Sequence, residues 1–235
     1  MRGLLVITIL FSSLLVLSSC TSSVFQDEPS EKAKRYHENY EIIGKEKEEV
    51  LDEMNISETI FDISDRDNPD PEMEGDYHFD VANEEEFTLP SGRYWFTGDI
   101  SGNIYIYDEK DHLLIHEIIG NPGVSGFVAD VNDSHTIRID GLESVAAFKE
   151  GNMGPSNELS AGIWHVGTDI APGSYTIKPV GGFGHVMILD PNEEAQIFEM
   201  IGSQSVSTES EMELENGQVV RITGISLIEL ERVEN

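Results

Sequence analysis

The chain has 235 residues, of which 45 are Asp or Glu and 14 are Lys or Arg, so its formal net charge is −31 at pH 7. A chain this acidic is repelled by nucleic acid and by anionic lipid head groups, which excludes a nucleic-acid-binding role. Its single cysteine excludes an intramolecular disulfide, so the fold must rest on packing and hydrogen bonding.

Residues 1–19 have the pattern of a secretion signal peptide. Arg2 supplies a positive charge, an apolar run of about 14 residues follows, and the small residues Ser18 and Ser19 precede Cys20. This string resembles a bacterial lipobox. The resemblance implies that Cys20 is lipidated and anchors the mature chain at the extracytoplasmic face of the bacterial cell membrane. The alternatives are an uncleaved anchor helix, for which the run is short against roughly 20 residues, and an ordinary signal peptide with a chance cysteine.

Three segments of different composition follow the signal peptide. Residues 20–30 are small and polar, which predicts a tether. Residues 31–60 predict a short amphipathic helix that acts as a solvated stalk or, alternatively, dimerises as a coiled coil; the apolar stripe consists of Tyr36, Tyr40, Ile43, Val50 and Met54. Residues 61–76 are acidic and contain two prolines, which predicts a disordered linker. We therefore expect residues 21–76 to be dispensable for folding.

The remainder of the chain contains an internal duplication. Identities recur at offsets of 81 to 83 and include Gly92 and Tyr94 with Gly173 and Tyr175, Glu117 and Ile119 with Glu199 and Ile201, and Arg138 and Ile139 with Arg221 and Ile222. Short apolar runs separated by Gly, Pro, Asn and Asp are typical of sandwiches. The sequence therefore predicts an all-β fold with two tandem repeated small β-sandwich domains, jelly-roll-like, preceded by a short helix and an acidic linker. The domains are residues 77–148 and 158–233, joined by a polar linker at residues 149–157.

One predicted strand in each copy is apolar on both faces. Residues 104–107 and their counterparts 186–189 show this pattern, which indicates burial on two faces or contact with another domain. A sandwich of roughly 70–75 residues buries only about 60% of its unfolded surface. We therefore expect the two copies to stabilise each other through a modest contact.

The second copy resembles a module of secreted proteins and lipoproteins of Gram-positive bacteria. The segment from Gly162 to Tyr175 is similar to the pattern Y-x-V-G-x-D-I-x-P-G-x-Y of that module, and Leu214, Gly217 and Val220 match its later part. The module occurs in tandem and has no assigned function, so the resemblance implies a fold and a location. The first copy has Asn and three Glu residues at 83–86 where the Val-Gly-x-Asp stretch belongs.

Candidate site residues are few, and none forms a catalytic motif. The chain has no G-x-S-x-G elbow and no H-E-x-x-H helix. Trp95 aligns with Thr176, which predicts a solvent-facing position and makes Trp95 the candidate aromatic for ligand binding. The candidate calcium ligands are Asp130, Asn132 and Asp133 in the first copy and Glu213 and Glu215 in the second; ordinary turn chemistry is the alternative explanation.

Three classes of function are compatible with these sequence features. The leading hypothesis is a membrane-anchored surface lipoprotein whose β-sandwich modules bind a cell-envelope component or a protein partner without catalysis. The second is a structural or accessory envelope lipoprotein without a dedicated ligand. The third is an extracytoplasmic enzyme of unrecognised type. No cofactor is expected, and calcium is the one ion for which the sequence offers candidate ligands.

Overall fold

The structure is a computed structural model that describes residues 30–66, 77–80, 86–203 and 207–233. The predicted signal peptide, Cys20 and most of the tether at residues 20–30 lie outside the described residues. Residues Glu31 to Asn235 group into one compact unit. The prediction of an all-β fold preceded by a short helical region is confirmed.

Two short helices and a 3-10 turn precede the strands. Helix α1 covers Glu31–Asn39, helix α2 covers Lys45–Met54, and the 3-10 turn covers Glu58–Phe61. The chain leaves α1 at Tyr40, which has a positive φ of 54°. The helical stripe predicted for residues 31–60 is therefore broken, and the segment between the helices has extended structure instead.

The first repeat is a sandwich of two four-stranded antiparallel layers. Its strands are β1 (Tyr77–Asp80), β2 (Glu86–Phe87), β3 (Gly92–Gly98), β4 (Ser101–Tyr107), β5 (Leu113–Gly120), β6 (Phe127–Val131), β7 (Thr136–Asp140) and β8 (Ser144–Glu150). One layer has the order β1-β8-β3-β6 and the other has the order β2-β7-β4-β5. The side chains between the layers are apolar and buried, as alternating strand patterns require.

The second repeat has the same topology with fewer, longer strands. Its strands are β9 (Glu158–His165), β10 (Gly173–Pro179), β11 (Gly182–Leu189), β12 (Gln196–Gly202), β13 (Ser210–Leu214) and β14 (Val219–Arg232). Strands β9 and β14 run through both layers, with a register shift between Ile222 and Leu227 where they pass from one layer to the other. The two layers are β9-β14-β10-β13 and β9-β14-β11-β12, which reproduce the strand orders of the first repeat.

The two repeats share one continuous sheet. Strand β6 of the first repeat pairs in parallel with β9 of the second, with Val128 opposite Gly162. A Cβ on Gly162 would lie 2.3 Å from the carbonyl oxygen of Val128, so the strands could not approach this closely with a larger residue. The segment 149–157 predicted as a linker contains the end of β8 and the turn into β9.

Some side chains of each repeat also pack in the hydrophobic core of the other repeat. Met187, Leu189 and Val219 of the second repeat belong to the apolar cluster of the first, and Val128 of the first belongs to that of the second. In β11, Val186 and Ile188 face their own core while Met187 and Leu189 face the other cluster. The apolar pattern on both faces of β11 is thus explained by burial on both faces, and the contact between repeats is larger than the modest one expected.

The N-terminal segment covers two edge strands of these layers, β5 in the first repeat and β12 in the second. Ile42 N–H donates to the carbonyl oxygen of Ile197 in β12 at 2.8 Å, and Ser57 N–H donates to that of Leu113 in β5 at 2.9 Å. Ile42 and Ile60 are buried in the core of the first repeat. Residues 40–60 therefore protect two strand edges and contribute core side chains, in contrast to the solvated stalk predicted for residues 31–60.

A buried ion-pair network joins the segment after the 3-10 turn to both repeats. The Arg66 guanidinium contacts both carboxylate oxygens of Asp130 in β6, at 2.9 and 2.6 Å, and both of Asp169 in the β9–β10 turn. Arg93 of β3 donates to Asp130 at 2.7 Å and lies over the Trp164 ring at 4.7 Å. Residues 62–66 of the predicted disordered linker are therefore ordered by buried charges; residues 67–76 lie outside the described residues.

Candidate functional site: a cleft between the two repeats

A cleft of about 640 Å³ opens where α2, β5 of the first repeat and β11 and β14 of the second repeat meet. Its volume lies in the range typical of small-molecule sites. Helix α2 forms one wall because the chain on either side of it is fixed to β12 and to β5. The cleft therefore exists only because the repeats are joined and the N-terminal segment bridges them.

The walls of the cleft are mainly apolar. Val50 and Met54 contribute from α2, Ile118 from β5 and Phe183 from β11. Ile118 is 43% exposed and Phe183 is 59% exposed, so both present apolar surface to solvent. Phe183 is held in place by the close approach of β11 and β14, since a Cβ on the neighbouring Gly184 would lie 1.8 Å from the carbonyl oxygen of Thr223. The packing of this wall therefore requires glycine at position 184.

The most unusual side chain in the cleft is Arg221 of β14. It is 1% exposed and makes no ion pair with any described residue, and its Nε has no hydrogen-bond partner among them. Its Nη1 contacts the thioether sulfur of Met54 at 3.8 Å, which is a weak acceptor. Burial lowers the pKa of Arg221 to about 10, and the nearby Glu117 only partly offsets this effect. The guanidinium therefore remains charged at neutral pH in a cleft whose walls are mainly apolar.

The first repeat provides a direct comparison for Arg221. Arg138 lies opposite Tyr105 in the β4–β7 ladder, as Arg221 lies opposite Met187 in the β11–β14 ladder. Arg138 is partly exposed, with ion pairs to Glu86 at 3.0 Å and Asp111 at 2.8 Å. The same strand position therefore carries a solvated, paired arginine in one repeat and, in the other, a buried arginine that has no ion pair with any described residue.

The second buried ionisable group is Glu117 of β5. Both of its carboxylate oxygens accept from Gly224 N–H, at 3.3 and 3.1 Å, and the side chain is 2% exposed. Burial raises the pKa of Glu117 to about 8, and the Gly224 hydrogen bond and the Arg221 charge only partly oppose that rise. At neutral pH the group is a neutral carboxylic acid, so it can donate a hydrogen bond into the cleft.

Two histidines complete the polar lining. His116 stacks on Tyr105 with ring centroids 4.2 Å apart and hydrogen-bonds to Asn103 Oδ1 at 2.9 Å. Burial lowers the pKa of His116 and of His185, and the Arg221 charge lowers both further, while Glu199 raises the pKa of His185. Both imidazoles are therefore neutral at pH 7. Arg221 is the one buried cation that the described residues place in this cleft.

The structure places Trp95 outside the lining of this cleft. Its side chain is half-buried and packs against the apolar cluster of the second repeat. The expectation that Trp95 faces solvent is met only in part, because the outer face of β3 is partly covered where the repeats join. Its aromatic ring contributes to packing at the junction.

The candidate calcium ligands are not assembled into one site. The Asp130 carboxylate is engaged by Arg66 and Arg93, Asn132 accepts from Ser134 N–H at 2.9 Å, and Asp133 accepts from Ser91 N–H at 3.2 Å. Glu213 and Glu215 are exposed in the second repeat. Across the described residues, no group of three or more His, Cys, Asp or Glu side chains is placed to hold a metal ion. Turn chemistry and ion pairing explain the roles of the first three residues.

Glu117 and Arg221 were missed as site residues by sequence reasoning, although both stand in the matched pairs of the duplication. The usable signal was a charged residue within an apolar strand pattern, at Glu117 between Ile115 and Ile119. This signal was not recognised because Glu117 aligns with Glu199, which made the acidic residue look like an ordinary feature of the repeat. Glu117 pairs with Ile104 in the β4–β5 ladder, whereas in the second repeat Phe198 takes that place and Glu199 pairs with His185.

Comparisons with protein-family models, with curated proteins and with solved structures found no match. No helix in the described parts of the chain is long and apolar enough to cross a membrane. The cleft itself is therefore the basis for a functional proposal.

Proposed function

We propose that this protein is a lipid-anchored extracytoplasmic binding protein, without catalytic activity, whose ligand site is the cleft between the two repeats. The observation that supports the proposal best is the cleft of about 640 Å³, which is lined by exposed apolar side chains and by a buried guanidinium that forms no ion pair with any described residue. Mainly apolar pockets with a few convergent polar groups are typical of small-molecule sites.

The ligand that suits these walls is a small, largely apolar molecule. The large apolar side chains of Phe183 and Ile118 are exposed to solvent. Those of Val50 and Met54, which line the same cleft, are partly buried. A bound ligand would remove this apolar surface from water, which is favourable by about 25 cal/mol per Å². The sequence-based prediction of lipidation at Cys20 would place such a site at the membrane surface, where apolar envelope molecules are available.

The proposal can be tested with the neutral apolar dye N-phenyl-1-naphthylamine and the chain lacking residues 1–19, expressed without acylation. We expect saturable dye fluorescence that is weakened at least tenfold in Kd by the double substitution I118S/F183S. A tenfold weakening corresponds to a loss of about 1.4 kcal/mol, a fraction of the burial energy of two large apolar side chains.

The matched control is I100S/V180S. Ile100 is 70% exposed and Val180 is 45% exposed, and neither lines the cleft. Its dye affinity should stay within about twofold of wild type, because exposed apolar side chains outside the site contribute little to a specific contact. Equal effects of the two double variants, or no saturable dye binding, would show that the cleft is not a ligand site.

A further inference from the structure

We propose that the ligand of this cleft is a small amphipathic acid with one negative charge, whose head group binds Arg221 while its apolar body lies against Phe183 and Ile118. This inference rests on the proposed function, because it names the class of ligand that the same cleft takes. It also assigns Glu117 a role as the residue that makes binding of the acid depend on pH.

Among the described residues, the Arg221 Nε has no acceptor and the Nη1 has only a weak one. A guanidinium has five N–H donors in a planar fork that matches the two oxygens of a carboxylate or sulfonate. In this chain its Nε has no partner among the described residues, and a thioether is the acceptor for Nη1. An acidic head group would supply the acceptors and the opposite charge that the described residues leave out, while displacing the weakly bound Met54 sulfur.

The charge around the cleft also favours an acid. The ionisable groups that face it are Glu53 on α2, His116 and Glu117 on β5, His185 on β11 and Arg221 on β14; Glu199 on β12 acts on His185 from beside the cleft. At pH 7 the two histidines and Glu117 are neutral, and Glu53 is solvent-exposed and therefore screened.

One buried positive charge therefore remains, which matches one negative charge on the ligand. A dianion would leave a second charge buried without a partner beside Glu117, at a large desolvation cost. The strongly acidic chain also disfavours highly charged anions at long range. Both effects select a monoanion with an apolar body.

The position of Glu117 couples binding of the acid to pH. As a neutral acid, Glu117 can donate a hydrogen bond to the head group of the ligand, but once ionised it places a like charge beside it. Binding of the acid should therefore be strongest when Glu117 is protonated and should weaken as the pH rises through about 8. Ionised Glu117 would instead compete with the ligand for the Arg221 guanidinium.

A matched pair of dyes tests this inference. N-phenyl-1-naphthylamine and 8-anilinonaphthalene-1-sulfonate share one aromatic skeleton and differ by the sulfonate, whose charge does not change between pH 6.5 and 9. At pH 6.5 we expect the sulfonate dye to bind about tenfold more tightly than the neutral one, in line with a charge-assisted hydrogen bond. The substitution R221M should reduce this ratio to about one, and the matched substitution R138M should leave it at about ten.

The pH series separates the role of Glu117 from that of Arg221. Between pH 6.5 and 9 the affinity ratio of the two dyes should fall severalfold in the wild-type chain. The substitution E117Q should remove this fall, whereas E199Q, altered at the residue aligned with Glu117 in sequence, should retain it. A fall that persists in E117Q would overturn the role of Glu117.

The outcomes for the two proposals are distinguishable. If the neutral dye binds and is weakened by I118S/F183S, but the sulfonate dye shows no preference or keeps its preference in R221M, the cleft is a ligand site and the inference about an acidic ligand is wrong. If neither dye responds to I118S/F183S, the proposed function itself fails.

Discussion

The substitution R221M is expected to stabilise the protein, although it removes a fully buried side chain. Arg221 lies in a strand whose neighbouring positions are apolar, and it has no ion-pair partner among the described residues. Replacing a buried charge by an apolar side chain of similar length is often stabilising by about 1–4 kcal/mol. Because Glu117 is neutral at pH 7, the substitution leaves no buried anion without a partner.

The magnitude follows from the pKa of the guanidinium. Burial holds the pKa of Arg221 well below its ordinary value, at about 10, and each pKa unit corresponds to about 1.4 kcal/mol. Holding the charge in this place therefore costs ~3 kcal/mol. The contact with the Met54 sulfur is weak, so we expect a net gain of about 2–3 kcal/mol, which for a domain of this size is a rise in Tm of roughly 4–12 °C.

The assay is thermal unfolding at pH 7 followed by circular dichroism, with R138M as the matched control. Arg138 occupies the same ladder position in the first repeat, but it is partly exposed and paired with Glu86 and Asp111. Its loss should change the free energy of unfolding by no more than about 1 kcal/mol. A Tm for R221M at or below that of wild type would refute the reasoning, because it would mean that the fold uses the Arg221 charge for its own stability.

The buried ion pairs, the N-terminal segment, Glu117 and Cys20 each give a further expected outcome. The substitution R66M leaves two buried carboxylates short of partners and should lower the free energy of unfolding by about 3–5 kcal/mol, seen as a Tm loss of at least roughly 6 °C; an unchanged Tm would show that the network is not stabilising. A chain that starts at Tyr77 should lose most of its cooperative thermal transition, because two strand edges and core side chains are uncovered; a transition at the wild-type temperature would contradict this. The pKa of Glu117 is raised from 4.5 to about 8, so the folded chain holds a proton that the unfolded chain releases. The Glu117 contribution to stability should therefore fall as pH rises from about 5 to 8, whereas the partly buried histidines His116 and His185, whose pKa values are lowered, act in the opposite direction. Denaturant titrations should show that the free energy of unfolding falls over this range in wild type and in E199Q relative to E117Q. Mass spectrometry of the membrane fraction should find a diacylated or triacylated Cys20, whereas anchoring of a C20A chain that keeps residues 1–19 would indicate a helix anchor.

The repeat architecture could be predicted because short sequence patterns specify its turns and strands. Tyr94 and Tyr175 recur after a Pro-containing turn, and in the structure each hydroxyl donates to the carbonyl oxygen four residues upstream, at 3.0 and 2.7 Å. The same turn chemistry thus produces the same local structure twice. The pairing of Arg138 with Tyr105 and of Arg221 with Met187 also confirms the alignment of the two arginines.

The position of Glu117 could not be predicted because it depends on a slip in strand pairing. The β4–β5 ladder contains a register shift between Ile106 and Tyr107, and a one-residue slip moves every side chain of a strand to the other face. Glu117 therefore pairs with a core isoleucine, while Glu199 accepts a hydrogen bond from the Tyr36 hydroxyl at 2.6 Å. An alignment of the two copies by sequence identity cannot reveal such a difference in strand register.

The N-terminal segment was misjudged for a related reason. Its charged composition predicts solvation, and most of its side chains are in fact exposed. Its contribution comes from backbone hydrogen bonds to β12 and β5 and from a few buried side chains, among them Ile42 and Ile60. Composition averages over these few positions, so it cannot show that a polar segment fixes the geometry of two sheet edges.

The location of the proposed site follows from the asymmetry between the copies. Identical sandwiches would bury or expose equivalent residues in the same way, yet the outer face of the β4–β7 pair is partly open while that of the β11–β14 pair is covered by α2 and the first repeat. Because that face is covered, the strand arginine is a buried cation without an ion-pair partner among the described residues. A protein needs only packing to keep two sandwiches joined, and Met or Leu at position 221 would serve packing better. The retained charge is therefore best understood as a group whose partner comes from outside the fold, and the acid-binding cleft is the place where such a partner can reach it.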